Sequence, residues 1–123
     1  MSSIQKNIFR EPLLECGKAP LTGFHRDGYC HLSAADHGNH GVCAIMDESF
    51  LSYTQEQGND LSTPRPEWGF AGLNPGDCWC LCIDRWLEAY RDDKAPKLVL
   101  EACHENLLMY LSVDELKAFN KSH

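Results

Sequence analysis

The sequence lacks any apolar run long enough to cross a lipid bilayer. A transmembrane helix needs about 20 consecutive apolar residues, and no stretch of this 123-residue chain has that character. The opening MSSIQKNIFREPLLEC also contains no apolar segment of signal-peptide length. We therefore expect a cytoplasmic protein without a membrane-spanning segment.

Basic residues are also scarce. Eleven lysines and arginines stand against eighteen aspartates and glutamates, which gives a net charge of -7. Phosphate backbones and anionic lipid surfaces repel such a protein before any specific contact forms. We therefore expect no nucleic-acid partner and no membrane partner, and the composition indicates no particular oligomeric state.

Cysteine is too sparse for a disulfide-stapled scaffold. Seven cysteines make up about 6% of the 123 residues, whereas small disulfide scaffolds carry roughly 8–10%. The count is odd, and the cytosol keeps thiols reduced. The sequence therefore predicts free thiols.

The overall composition is that of an ordinary globular protein, with 43% hydrophobic and 24% charged residues. A chain of this length buries roughly two-thirds of its unfolded surface around one core. We therefore predict a single domain over residues 1–123, in which residues 1–11 form a flexible N-terminal segment.

Apolar patterns predict three strand-then-helix units, with strands at 41–46, 77–82 and 97–103. Asp47 is the expected N-cap of the first helix, because its carboxylate can accept a hydrogen bond from a helix amide. Ser112 and Glu115 form a capping box at the start of a further helix.

The pair Asp27-Gly28 is a strong signal for a two-residue hairpin turn, which would set His25 across from Cys30. The predicted fold class is therefore α+β. It comprises a short mixed β-sheet, three or four helices, an N-terminal β-hairpin and a long central loop.

That central loop covers residues 58–76, which hold three prolines and four glycines and show no periodicity. Structureless loops longer than about 12–15 residues are uncommon in small domains and are often functional. We expect this loop to be the wall or lid of a site. The alternative is an Ω-like loop that packs on itself through Trp68 and Phe70.

Cysteine occupies three alternate positions in DCWCLC, at Cys78, Cys80 and Cys82. Two residues along a strand advance about 6.6 Å, whereas a disulfide needs Cβ atoms about 3.8 Å apart, so neighbours in this run cannot bridge each other. One interpretation is that they are small buried hydrophobes. Another is a zinc site. No metal is favoured, but the alternative ligand set is His40, Cys43, Cys80 and Cys82, with His37 close by in the sequence.

Cys82 is the candidate nucleophile, because it ends a strand just before a helix whose first amides would stabilise a thiolate. His40 lies in a glycine-rich loop, and His104 lies where the third predicted strand ends. Either imidazole, if adjacent to the thiol, would supply the base for covalent catalysis. The structural alternatives are a buried thiol and, for His104, a helix cap.

Four further side chains are candidate ligand-binding groups: Arg85, Asn59, Asp60 and Arg26. A guanidinium can hold an anionic molecule through paired hydrogen bonds. The alternatives are an Arg85 paired with a carboxylate, helix-end and turn roles for Asn59 and Asp60, and a hairpin role for Arg26.

Five segments together resemble a small bacterial family known only as domain of unknown function 2237. They are PLTGFHRDGYC, DHGNHGVCAIM, FLSYTQEQGNDLSTPRPEWGF, GLNPGDCWCLCIDRW and EACHE. The resemblance spans about Pro12 to Leu116 and implies no activity. The positions that it assigns to the family pattern are Cys16, Arg26, Asp27, Cys30, Asp36, His40, Cys43, Asn59, Asp60, Thr63, Asp77, Cys80, Cys82, Arg85 and His104.

Three residues depart from the pattern of the family that this chain resembles: His37, Cys78 and Cys103. A zinc site that required any of them would not be a family feature, whereas His40 and Cys43 with Cys80 and Cys82 match the pattern. The leading hypothesis is a Cys-, His- and Arg-lined cleft that binds a small polar or anionic molecule, with thiol chemistry at Cys82. A zinc-binding protein and a non-catalytic interaction module are the alternatives.

Overall fold

The computed structural model describes residues 5–18, 22–23, 26–36 and 38–120, apart from the side chain of Trp68. In chain order the strands and α-helices are β1 (Val42–Ile45), α1 (Glu48–Glu56), β2 (Cys78–Leu81), α2 (Ile83–Arg91) and α3 (Val113–Lys117). Single turns of 3-10 helix occur at Pro66–Trp68, Leu100–Ala102 and Glu105–Met109. The α+β class is confirmed, with three α-helices in this part of the chain.

The sheet has two antiparallel strands within the described residues, so the predicted mixed sheet is wrong. Cys43 lies opposite Cys80 in the register. The third predicted strand pairs with β1 at Leu98 alone, through bonds from the Ile45 amide to the Lys97 carbonyl (2.8 Å) and from the Val99 amide to the Cys43 carbonyl (3.0 Å). The chain then turns into the 3-10 helix at Leu100–Ala102, which ends the pairing.

Helix α1 begins as predicted, because the Asp47 carboxylate accepts a hydrogen bond from the Phe50 amide at 2.6 Å. Gly58 follows its end at φ 95°, a conformation that glycine adopts without strain. Helix α2 buries Ile83, Trp86 and Leu87, the face that the i, i+3, i+4 spacing predicts. Both helices therefore start directly from a strand and pack on the same core.

The last two predicted helices differ in kind. The segment Glu105–Met109 is a 3-10 helix with His104 as its N-cap. Helix α3 carries the predicted capping box, in which the Ser112 hydroxyl accepts from the Glu115 amide and the Glu115 carboxylate accepts from the Ser112 amide. Behind it, Phe119 packs edge-on against Trp86, with ring centres 5.1 Å apart.

The predicted N-terminal hairpin is not formed in the described residues. A type I′ turn needs positive φ at both Asp27 and Gly28, but here Arg26 (55°) and Gly28 (92°) have positive φ. The Gly28 carbonyl instead accepts hydrogen bonds from the amides of Cys16 (2.7 Å) and Gly17 (3.2 Å), which closes a loop. His25, whose register with Cys30 was predicted, lies outside the described residues.

Two disulfides link this N-terminal region to the sheet, so the prediction of free thiols is wrong for four of the cysteines. Cys16 is bonded to Cys43 in β1, with Cα atoms 5.7 Å apart. Cys30 is bonded to Cys80 in β2, with Cα atoms 5.2 Å apart. Cys78, Cys82 and Cys103 are not in a disulfide. As predicted, neighbours in the alternating run do not bridge each other.

The range predicted to be flexible, residues 1–11, includes two buried side chains. Asn7 and Ile8 are each 1% exposed, and the side-chain amide of Asn7 donates to the Glu101 carbonyl at 3.0 Å. Flexibility of residues 1–11 stays a prediction. The longest helices in the described part of the chain have nine residues, far fewer than a bilayer crossing requires.

Candidate functional site

A cleft of about 610 Å³ opens beside the sheet, within the size range of small-molecule sites. One wall is the start of the loop 58–76, and the floor is β2. The residues that line it are Arg26, His40, Gly58, Asn59, Asp60, Leu61, Arg65, Phe70, Trp79 and Cys80. Four of the seven candidate site residues from the sequence therefore meet here: Arg26, His40, Asn59 and Asp60.

Short-range hydrogen bonds hold the loop wall in shape. The Asn59 side-chain amide donates to the Thr54 hydroxyl at 3.1 Å, which anchors the loop to α1. The Asp60 carboxylate accepts from the amides of Ser62 (3.0 Å) and Thr63 (3.1 Å). Hydrogen bonds from Thr63, both side chain and backbone, lower the pKa of Asp60. Asn59 thus has a helix-end role and Asp60 a turn role, which were the structural alternatives, and both residues also line the cleft.

The loop also closes on itself through backbone hydrogen bonds, whereas the packing through Trp68 that the Ω-like alternative includes lies outside the described side chains. Arg65 and Phe70 exchange backbone hydrogen bonds of 2.7 and 3.1 Å, and the Leu73 amide donates to the Leu61 carbonyl at 2.8 Å. Phe70 then packs edge-on against Trp79, with ring centres 5.5 Å apart. A self-closed loop and a cleft wall are therefore compatible.

His40 is oriented by a buried carboxylate that the sequence did not single out for this role. The Nδ1 atom of His40 lies 2.6 Å from Asp36, whose side chain is 0% exposed, and the His40 amide donates to the same carboxylate at 2.8 Å. Burial alone would raise the pKa of Asp36, but these hydrogen bonds and the charge of His40 outweigh it and lower the pKa. The sequence DHGNH places Asp36 four residues before His40 across a glycine, and this spacing could have indicated the pair.

Two arginines border the cleft, and one was missed. The Cζ atom of Arg26 lies 5.0 Å from the centre of the Trp79 ring, a cation–π contact, and its Nη1 donates to the Gly23 carbonyl at 2.7 Å. Arg65 lies close enough to Asp60 for its charge to contribute to the lowered pKa of that carboxyl. Because Arg65 lies between two prolines, the sequence indicated only that it belongs to a loop.

Cys82, the candidate nucleophile, is not among the described residues that line the cleft. It is the N-cap of α2, and its Sγ donates to the Gly38 carbonyl at 2.8 Å. Gly38 in turn lies against the His40 ring, since a Cβ added there would be 2.8 Å from Cε1. The loop glycine thus touches both side chains, and a nucleophilic role for Cys82 stays a prediction.

His104 and Arg85 also lie away from the cleft. His104 caps the 3-10 helix through its Nδ1, which accepts from the Asn106 amide at 3.0 Å, and burial lowers its pKa. It lines a separate depression of about 330 Å³. Arg85 donates to the Gln57 carbonyl at 3.2 Å and pairs with Glu88 at 3.3 Å. Their structural alternatives, a helix cap and an ion pair, match these contacts.

The alternative zinc set of His40, Cys43, Cys80 and Cys82 stays a prediction; in this structure Cys43 and Cys80 are in different disulfides and carry no thiolate. His37 lies outside the described residues.

The cysteines that do cluster within the described residues form a different set. The sulfurs of Cys16, Cys30 and Cys80 all lie within 4.8 Å of one another. Cys103 is buried beside them in the core, with its thiol 3.6 Å from the Cys43 carbonyl, and burial raises its pKa to about 12.

A family model described as an uncharacterised protein conserved in bacteria, DUF2237, matches residues 6–120. The matched range contains every residue of the cleft and both disulfides. No curated protein matches the sequence.

Proposed function

This chain belongs to the DUF2237 family of uncharacterised proteins conserved in bacteria, and we propose that its cleft binds a small molecule carrying a carboxylate or phosphate group. The family description assigns no activity, so the residues of the cleft carry the proposal. The observation that carries it is the charge of the described lining, in which two arginines stand against one carboxylate.

That local charge is opposite to the charge of the whole protein. The chain has a net charge of -7, yet Arg26 and Arg65 line one cleft with Asp60 as the acidic residue among its described lining. A cleft walled by one sign of charge concentrates ligands of the other sign. Guanidinium groups present paired donors that fit carboxylate and phosphate oxygens, which favours an anionic over a neutral polar ligand.

The rest of the lining favours a ligand with an apolar or planar part. Leu61, Phe70 and Trp79 supply apolar surface, and Phe70 and Trp79 are held in contact with each other. Sites for small molecules combine such surface with a few polar groups that set orientation. The anionic end of the ligand would meet the arginines while its remaining atoms contact the aromatic rings.

His40 would serve this site as a hydrogen-bonding group oriented by Asp36. A carboxylate bound to Nδ1 fixes the tautomer and direction of an imidazole. Thiol-dependent chemistry at Cys82 is a separate proposal, because that thiol contacts the Gly38 carbonyl outside the described cleft lining. Binding does not require it.

The test is a titration followed by amide and indole NMR signals, with inorganic phosphate and benzoate as probes at constant ionic strength. We expect saturable shifts at the Trp79 indole and at the Gly58 and Asn59 amides. Arg65→Gln should weaken binding by at least about tenfold, the value of one charged hydrogen bond.

Arg85→Gln is the matched control, because it removes an arginine that lies outside the described cleft lining. Its binding should equal that of the wild type. Shifts that never saturate, or that weaken equally in Arg65→Gln and Arg85→Gln, would contradict a specific anion site in this cleft.

A cytoplasmic location completes the proposal, and the disulfides provide its test. Disulfides are rare in the cytosol, so Cys16 and Cys30 should be thiols in cells that keep the protein there. Acid quenching of intact cells followed by alkylation and mass spectrometry would report their state. Unalkylated, disulfide-bonded cysteines would instead assign the protein to an oxidising compartment.

A further inference from the structure

The two disulfides converge on one point of the core, although their cysteines come from four separate segments. Cys43 and Cys80 are direct cross-strand neighbours in the β1–β2 register, so their side chains point to the same face of the sheet. Each is bonded to a cysteine of the N-terminal region and not to the other. Two crosslinks therefore lie side by side.

The distances between the crosslinks are short. The sulfurs of Cys16, Cys30 and Cys80 lie within 4.8 Å of one another, although Cys16 belongs to one disulfide and the other two form the second. Cys43 is bonded to Cys16 and completes a group of four. Four thiolates around a tetrahedral zinc ion, at Zn–S bonds of about 2.3 Å, lie about 3.8 Å from each other. The Cys43 sulfur is outside the group within 4.8 Å, so side-chain rotation after the S–S bonds are broken would have to bring the four sulfurs to that spacing.

We propose that Cys16, Cys30, Cys43 and Cys80 form a tetrathiolate site for a zinc-class divalent cation when the disulfides are reduced. Two equivalents of a dithiol reductant transfer four electrons and four protons to the two S–S bonds, and each reductant becomes a disulfide. The ion then displaces four protons from the four thiols. The metal and the disulfides are alternative crosslinks between the same segments.

The site has the features of a structural metal centre. All four cysteines are buried, and four protein ligands leave no open position for substrate. It differs from the zinc set predicted from the sequence, because His40 is held by Asp36 and the Cys82 thiol by the Gly38 carbonyl. Cys78 and Cys103, which are not in a disulfide, lie outside the set.

Such a site would also explain how the fold persists without disulfides. A two-stranded sheet is marginal by itself, and the described N-terminal region contains neither a strand nor an α-helix. In a reducing compartment the segments around Cys16 and Cys30 would be joined to the sheet by the ion instead of by S–S bonds.

The experiment is a titration of the reduced, metal-free protein with Co²⁺ under anaerobic conditions. We expect one Co²⁺ per chain, with thiolate-to-cobalt charge-transfer bands and the intense d–d bands of tetrahedral geometry, and displacement of the Co²⁺ by Zn²⁺. Circular dichroism in the same samples reports folding. If the reduced protein is unfolded without metal, Zn²⁺ should restore its native spectrum.

Serine variants identify the ligands. Cys30→Ser should lower the charge-transfer intensity by roughly a quarter, since three thiolates remain of four. Cys82→Ser and Cys78→Ser are matched controls that should leave it unchanged. Loss of intensity in Cys82→Ser would favour the set with His40 instead. Absence of Co²⁺ uptake by reduced wild-type protein, folded or not, would overturn the proposal, and the anion titration on oxidised protein is unaffected by that result.

Discussion

The segment that runs from β1 to α2 and the segment that precedes it are held together by different means. From Val42 to Arg91 the chain alternates strand and helix, and most of its hydrogen bonds join near neighbours, such as Asp47 with Phe50. The described residues before it contain no strand or α-helix, and distant partners join them to the sheet. Cys16 and Cys30 are bonded to the sheet, and the Thr22 hydroxyl accepts from the Cys80 amide at 2.7 Å.

The cleft lies where these two segments meet. Arg26 and His40 come from the segment before β1, whereas Asn59, Asp60 and Arg65 come from the segment between β1 and α2. Its charge therefore depends on long-range contacts that hold the N-terminal region against the sheet. Weakening those contacts should open the cleft before it unfolds the helices, which is the pattern of local opening expected of weakly held segments.

Removal of a disulfide should have the largest effect, because it should weaken the segment before β1 more than the segment from β1 to α2. For the Cys30–Cys80 bond, whose partners are 50 residues apart, chain entropy predicts a loss of about 4 kcal/mol, and for the Cys16–Cys43 bond, 27 residues apart, about 3.5 kcal/mol. We expect Cys30→Ala to lower the free energy of unfolding in urea accordingly in the oxidised, metal-free protein. Cys78→Ala is the control, with a change within about 0.5 kcal/mol.

Hydrogen exchange would locate that loss. In Cys30→Ala the amides of Cys16 and Gly17, which donate to the Gly28 carbonyl, should lose protection first, and those of α2 last. Equal loss of protection in both places would contradict the difference between the two segments.

Thr22→Val should have the next largest effect. The change keeps the shape of the side chain but leaves the buried Cys80 amide without its acceptor, at a cost of about 1–3 kcal/mol. Thermal unfolding measures the loss. Thr54→Val is a comparison within α1, where the buried hydroxyl instead accepts from Asn59. If Thr22→Val left the thermal stability unchanged, the disulfides alone would hold the segment around Thr22 against β2.

Asp47→Ala tests the other segment. Loss of the N-cap of α1 should cost about 1 kcal/mol, because the Phe50 amide loses its acceptor. Denaturant unfolding measures it, and Asp47→Ser should recover most of the loss. In contrast to the disulfide variants, anion binding at the cleft should persist. A binding defect as large as that of Arg65→Gln would show that the loop wall depends on this cap.

The smallest effect expected concerns pH. Burial lowers the pKa of His104 below its usual 6.5, so the unfolded chain binds a proton more readily than the folded protein does. The stability is therefore complete above pH 6.5 and declines as the pH falls through that value towards the lower folded pKa. His104→Asn keeps a capping group, and its stability should vary less with pH in this window. Urea unfolding across the window measures it, and an unchanged slope would contradict the prediction.

Several elements could be predicted because their causes are local. Alternating apolar residues predicted β2, the helical spacing predicted α2, and a single acid placed the start of α1 at Asp47. The loop 58–76 was predicted to wall a site from its prolines and glycines, and its Asn59 and Asp60 do line the cleft. Each of these signals lies within one continuous stretch of the chain.

The failures concern long-range partners. The third strand was predicted from local apolar pattern, but Leu98 pairs with β1 through a single bridge before the chain turns. Cys82, Arg85 and His104 were grouped with the cleft because they begin or flank helices next to strand ends. In the structure their side chains contact Gly38, Glu88 and Asn106 outside the described cleft lining, and their catalytic and binding roles stay predictions.

The sequence by itself determined the strand-then-helix order, the helix caps and the acidic surface, because these depend on residues a few positions apart and on composition. Only the tertiary structure decided which cysteines meet, which arginines face the cleft and which carboxylate holds His40. Seven cysteines allow many pairings of similar loop-closure entropy, since that entropy varies slowly with loop length. The packing of the N-terminal region across β1 and β2 selects one of them.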